Sequence, residues 1–141
     1  MIEVIFNSEV RCPFVKKDIL PIINSVAKKE KKISGILEVT VVSKPTIKKL
    51  NKKFRGKNSI TDVLSFSMVE GKVSIGPVLG EIYICYEQII KQAKEFGVTS
   101  REEFNRMLVH GLLHLVGYDH VKDLDANKMF ALQEKILSQV K

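Results

Sequence analysis

All three histidines of this 141-residue chain lie between His110 and His120, in HGLLHLVGYDH, and no other feature restricts the fold as much. His110 and His114 are four apart, so a helix would stack their rings on one face, within reach of a single ion. Gly117 stands where such a helix has to stop, because glycine accepts the left-handed conformation that reverses a chain. Tyr118 and Asp119 then give the short return that carries His120 back toward the first two. The pattern HxxxHxxGxxH reads as three metal ligands, with the fourth corner of a tetrahedral ion left to water.

Neutral imidazole binds zinc at about 2.0–2.1 Å, and three such ligands with one open position describe a catalytic site better than a structural one. Structural zinc usually takes four protein ligands, often cysteines, and Cys12 and Cys85 both lie away from the cluster. One zinc ion per chain is expected, although nickel or iron would accept the same ligands. The bland alternative is three unrelated histidines, and the spacing with its glycine weighs against it. Asp119 is placed either to orient a ring or to serve the turn.

The metzincin peptidases share this spacing, with a glutamate directly after the first histidine as general base. Here that position is Gly111. A peptide bond needs a base and then an acid for its poor leaving group, so peptidase chemistry loses its proton carrier. A phosphodiester asks instead for stabilisation of charge spread over phosphoryl oxygens, which a metal ion and an arginine can supply. Arg55 lies within the most basic window of the chain, among Lys48, Lys49, Lys52, Lys53 and Lys57, with no acid between them. Two readings of this window stay open: phosphate contact, or a solvated helix face with Arg55 capping its end.

The whole composition leans the same way. Lysine and arginine number 23 against 16 acidic residues, for a net charge of +7 and a pI near 9.4, which favours a polyanionic partner such as nucleic acid. Two cysteines with no CxxC spacing read as small buried hydrophobes in a reducing compartment, not as a disulfide. The N-terminal MIEVIFNSEV has an acid at position 3 and no long apolar run, so neither a secretory signal nor a membrane span is expected, and a cytoplasmic protein is.

Taken in order, residues 2–6 predict a strand, and Pro13 can open a helix carrying Leu20, Ile23, Val26 and Ala27, with Pro21 kinking it or delaying its start to near residue 20. Ile36–Ser43 is the clearest strand. Pro45 opens a helix with Ile47, Leu50 and Phe54 on one face, closed by Gly56. Thr61–Met68 alternates as a strand, with Leu64, Phe66 and Met68 on one face and the smaller Val63, Ser65 and Ser67 on the other, as beside a cleft. Residues 69–79 predict a loop or loose hairpin, followed by a strand over Gly80–Cys85 and a helix over Glu87–Phe96. Ser100 with Glu103 forms a capping box for the histidine helix. Asp123 or Asp125 caps a last helix whose Met129, Leu132, Gln133 and Ile136 read as packing behind the site. The pattern is a single α+β domain over residues 1–141, with a mixed, mostly four-stranded sheet, helices mainly on one face, and the metal site on a C-terminal helix and the loop after it.

HGLLHLVGYDH at 110–120, with LNKKFRGKNSITDVLSF at 50–66 and LGEIYIC at 79–85, resembles the bacterial YbeY family of metal-dependent endoribonucleases, also called rRNA maturation factors, over nearly the whole chain and in the same order. The histidine motif is highly specific; the two strand motifs are weaker singly. The resemblance implies that His110, His114 and His120 are zinc ligands and that Arg55 takes the position of the family's functional arginine. It also implies cleavage of single-stranded RNA, maturation of the small-subunit rRNA 3′ end, and a part in ribosome quality control. One departure is Ile60, where proline commonly precedes TDVLSF, which bears on the rigidity of the 56–61 turn.

The expectation is therefore an endoribonuclease with Arg55 and His114 as catalytic residues, His110, His114 and His120 holding zinc, and Lys48, Lys49, Lys52, Lys53 and Lys57 on flanking phosphates of rRNA. Two rivals are a zinc hydrolase of peptides or small amides, and a non-catalytic ribosome-associated module stapled by zinc.

Overall fold

The runs IEVIFNS and GILEVTVV are rich in β-branched side chains, which fit a pleated surface better than a helix. They form β1 (Ile2–Ser8) and β2 (Gly35–Val42), paired in parallel. A parallel pair needs a crossover, here the helix α1 (Lys16–Lys29). The computed structural model describes residues 2–31, 33–67, 69–70, 73–74, 78–117 and 123–139. Within it β6 (Val78–Cys85) lies parallel to β2, and β3 (Val63–Ser67) runs antiparallel to β6, giving a mixed sheet in the order β1-β2-β6-β3. A short hairpin of β4 (Val69–Glu70) and β5 (Val73–Ser74) stands apart, where a loop or loose hairpin was expected. Met68 lies outside the described residues.

Alternation along the strands separates two cores. Leu37, Val39, Val41, Ile82 and Ile84 face one side, where they meet α1, α3 (Tyr86–Phe96), α4 (Ser100–Leu115) and α5 (Asp123–Gln139). Val42, Leu64 and Cys85 face the other side, covered by α2 (Lys44–Arg55) through Ile47. Helices thus lie mainly on one face, as expected, and α2 alone on the other. Among the described residues no helix is long and apolar enough to cross a membrane.

Several local expectations are corrected. α1 opens at Lys16, where the Asp18 carboxylate accepts the Val15 N–H at 2.9 Å, and it runs on through Pro21. An internal proline costs about 3 kcal/mol, but burying Ile19, Ile22, Ile23 and Val26 returns roughly 1.5–3 kcal/mol each, and Pro21 lies on the exposed face. The cap of α4 is Thr99 with Glu102, one residue earlier than Ser100 with Glu103. Glu103 is instead buried and accepts from Gln92 Nε2 at 2.8 Å. Phe54 does not share the burial of Ile47 but is exposed. Both cysteines are free, Cys85 buried and Cys12 only half-buried; burial pushes the Cys85 thiol up, which keeps it protonated and unreactive.

Candidate active site

The helix α4 brings His110 and His114 to the edge of the sheet, and its fit there depends on Gly111. A Cβ at position 111 would stand 3.0 Å from Ser65 Oγ and 3.4 Å from two Ile82 carbons, tighter than ordinary contacts, so glycine lets the helix lie this close without displacing either side chain. Ser65 Oγ donates to Gly111 O at 3.1 Å and Ser67 Oγ to Leu115 O at 3.0 Å, which fastens β3 to α4 along the small face of the strand. The helix ends after Leu115, and Gly117 takes a φ of 100°, in the left-handed region as its position predicts. The glycine at position 111, where the peptidases have glutamate, thus serves packing: this position faces Ser65 and Ile82, and any side chain there would crowd them.

The two rings are half-buried and meet edge to face, 4.6 Å between centroids, with Nε2 of His110 and Nε2 of His114 3.0 Å apart. Two ligands of one tetrahedral zinc at about 2.0–2.1 Å would stand about 3.3 Å apart, so this pair fits a shared ion. Gln133 on α5, only 3% exposed, places Oε1 3.1 Å from Nδ1 of His110. An amide oxygen can only accept, so this contact holds the proton on Nδ1 and turns the Nε2 lone pair toward His114. Gln133 was expected only as packing behind the site. The signal in the sequence was a polar residue at a position of the apolar stripe. His120, Tyr118 and Asp119 lie outside the described residues, and among those described no third His, Cys, Asp or Glu joins the pair.

Both histidines line a cleft of about 750 Å³, whose opposite wall is the end of α2 and the turn after it: Asn51, Arg55, Lys57, Ser59 and Ile60. Arg55 reaches across to β3, where Nη2 donates to Ser65 O at 3.3 Å. Gly56 and Lys57 donate back to the carbonyls of Lys52 and Asn51. Asn51, buried, donates through Nδ2 to Ser59 O at 3.0 Å, which braces the 56–61 turn without a proline before Thr61. Of the expected phosphate contacts only Arg55 and Lys57 line the cleft; Lys48, Lys49, Lys52 and Lys53 are exposed on α2 outside it. At the far end of α2, Glu9 accepts from Thr46 Oγ1 at 2.6 Å, Ser43 Oγ at 2.9 Å and Ser43 N at 3.2 Å, tying this helix to the end of β1. These bonds, that of Thr46 first, hold the Glu9 carboxyl below its ordinary range.

The fold and the cleft define an α+β protein with a helix-borne pair of imidazoles facing an arginine across an open, partly cationic groove. The family model for Endoribonuclease YbeY matches residues 6–141, and the chain belongs to that family. The Endoribonuclease YbeY of Ureaplasma parvum serovar 3 is 46% identical over 104 residues, 74% of this chain and 66% of that protein's length. The one from Thermodesulfovibrio yellowstonii is 45% identical over 123 residues, 80% of this chain and 77% of the relative. Among solved structures, the solution structure of TM1509 from Thermotoga maritima superposes with a TM-score of 0.66 at 34% identity, covering 99% of this chain and 89% of that one.

Proposed function

We propose that this protein is a zinc-dependent endoribonuclease that cleaves single-stranded RNA in rRNA maturation. The observation that carries this reading is one cleft with the His110–His114 pair on one wall and the Arg55 guanidinium on the other. Family membership supports it. His110 and His114 would hold zinc through Nε2, together with His120. When bound, zinc supplies Lewis acidity that offsets charge on the phosphoryl oxygens.

The chain's own residues set the geometry around that charge. Gln133 fixes the tautomer of His110, so that its Nε2 lone pair is directed into the site before substrate arrives. Arg55 is held at the cleft wall by Ser65 O, and its remaining N–H groups are donors to a phosphate. Lys57 adds a second cation for a flanking phosphate. Rigid placement matters because an arginine donor stabilises the transition state only if it needs no reorganisation as the charge develops.

The test is cleavage of a single-stranded rRNA fragment by the wild type, Arg55→Ala and His114→Ala. Arg55→Ala should lower kcat by about 100-fold or more with zinc still bound, and His114→Ala should lose zinc and activity together. An Arg55→Ala variant as fast as wild type would refute the assignment. End-group analysis separates the chemistries, since a 2′,3′-cyclic phosphate would exclude direct attack by water as the whole route.

A further inference from the structure

Next to the cleft, on the other face of β3, α2 carries an aromatic side chain that lies outside both the core and the metal site. Phe54 directly precedes Arg55 on α2 and is 56% exposed, although its ring is braced. Phe66 meets it edge to face with centroids 5.2 Å apart, and Tyr83 braces Phe66 in turn at 5.9 Å. The Lys53 ammonium lies over the Phe54 ring, 5.1 Å from its centroid.

The register of β3 explains why this ring lies on the way out of the cleft. β3 is the last strand of the sheet. Cys85 N donates to Asp62 O, so the pairs Leu64–Tyr83 and Phe66–Glu81 face β6 with their backbone groups, whereas Ser65 directs its own N–H and C=O to the open edge. That is why Arg55 can bond Ser65 O. Ser65 and Ser67 face the cleft, and Phe66, under Phe54, faces the opposite side. A polynucleotide leaving the cleft across this edge passes from Arg55 to Phe54.

We propose that Phe54 is a stacking platform for one unpaired base of the RNA, one residue along the helix from the arginine that holds the phosphate. This rests on the reading of the cleft as an RNA site. The occupant follows from charge and shape together: the window from Lys48 to Lys57 has five lysines, Arg55 and no acid, so it suits a polyanion. An exposed aromatic ring is a stacking surface for any base, and a base stacked here would displace or share the ring with the Lys53 ammonium. Phe96, also exposed, ends α3 outside the basic window. A base paired in a duplex has no free face to give, so the platform selects single strands.

The experiment measures binding, not cleavage, with a short single-stranded RNA carrying 2-aminopurine, and the same RNA with an abasic residue in its place. Wild-type protein should quench the fluorophore, and Phe54→Leu should bind about 5- to 10-fold more weakly with the quench lost. Phe54→Trp should restore both, Phe96→Leu should match wild type, and all variants should bind the abasic RNA alike. Thermal unfolding of Phe54→Leu identifies any loss due to misfolding, and Phe54→Trp then carries the test. Equal affinity and quench for wild type and Phe54→Leu would overturn the platform while leaving the RNA cleft intact. No binding of either RNA by wild type would overturn both.

Discussion

Gln133→Leu isolates the hydrogen bond that α5 makes with the candidate metal pair. The substitution keeps the side chain's approximate size in a buried position and removes the oxygen 3.1 Å from His110 Nδ1. Losing the bond and leaving an N–H short of an acceptor costs about 1–3 kcal/mol. The half-exposed ring argues for the lower end, and the leucine returns some apolar burial, so Tm should fall by no more than about 3–6 °C. Zinc affinity should fall further, by about 10- to 100-fold, because His110 no longer has its Nε2 lone pair held toward His114. Gln133→Glu keeps an acceptor and should retain the affinity. The assays are zinc competition with a chromophoric chelator and imidazole 15N shifts of the zinc-free protein, which report where the proton sits. Wild-type zinc affinity in Gln133→Leu, or a wild-type His110 protonated on Nε2, would refute the reasoning.

Three further outcomes are expected. Gly111→Glu should create no peptidase, because position 111 meets Ser65 and Ile82; it should instead destabilise by about 3 kcal/mol in urea unfolding, and a stable variant that cleaves peptides would reverse the argument. Glu9 has a depressed carboxyl, so its stabilising contribution is fully present above its ordinary value of 4.5 and is lost as pH falls through the lower folded value. The Tm difference between wild type and Glu9→Ala should therefore stay constant from about pH 7 to 5 and shrink below that; a difference that grows on acidification would show the sign to be wrong. Binding to single-stranded RNA should weaken with salt, with a log–log slope of at least about −1.4 from Arg55 and Lys57 together, and a flat response measured by fluorescence anisotropy would remove both from the interface.

The four strands of the main sheet, the two faces of β3, the helix ends at Gly56 and Gly117 and the helical spacing of His110 and His114 were all legible, since each follows from local periodicity or from a residue's own backbone preference. The expectations that failed each depended on something distant. Pro21 was tolerated because four aliphatic neighbours on its helix found a sheet to cover. The cap moved from Ser100 to Thr99 as Glu103 was drawn inside to Gln92 on another helix. Phe54, about two turns along α2 from Ile47, stays exposed against Phe66.

By itself the sequence determined which side chains could act together along one helix, because four residues make one turn whatever surrounds them. It also determined that a basic window and an arginine were available. Only the tertiary structure decided that Arg55 faces the histidine pair across one cleft, since Arg55 and His110 lie 55 positions apart in the chain and their meeting depends on where β3 and α4 lie against each other. Only the structure gave Gln133 its partner and Gly111 its reason. Both are consequences of packing between elements, and packing is set by the shape of surfaces that no local pattern records.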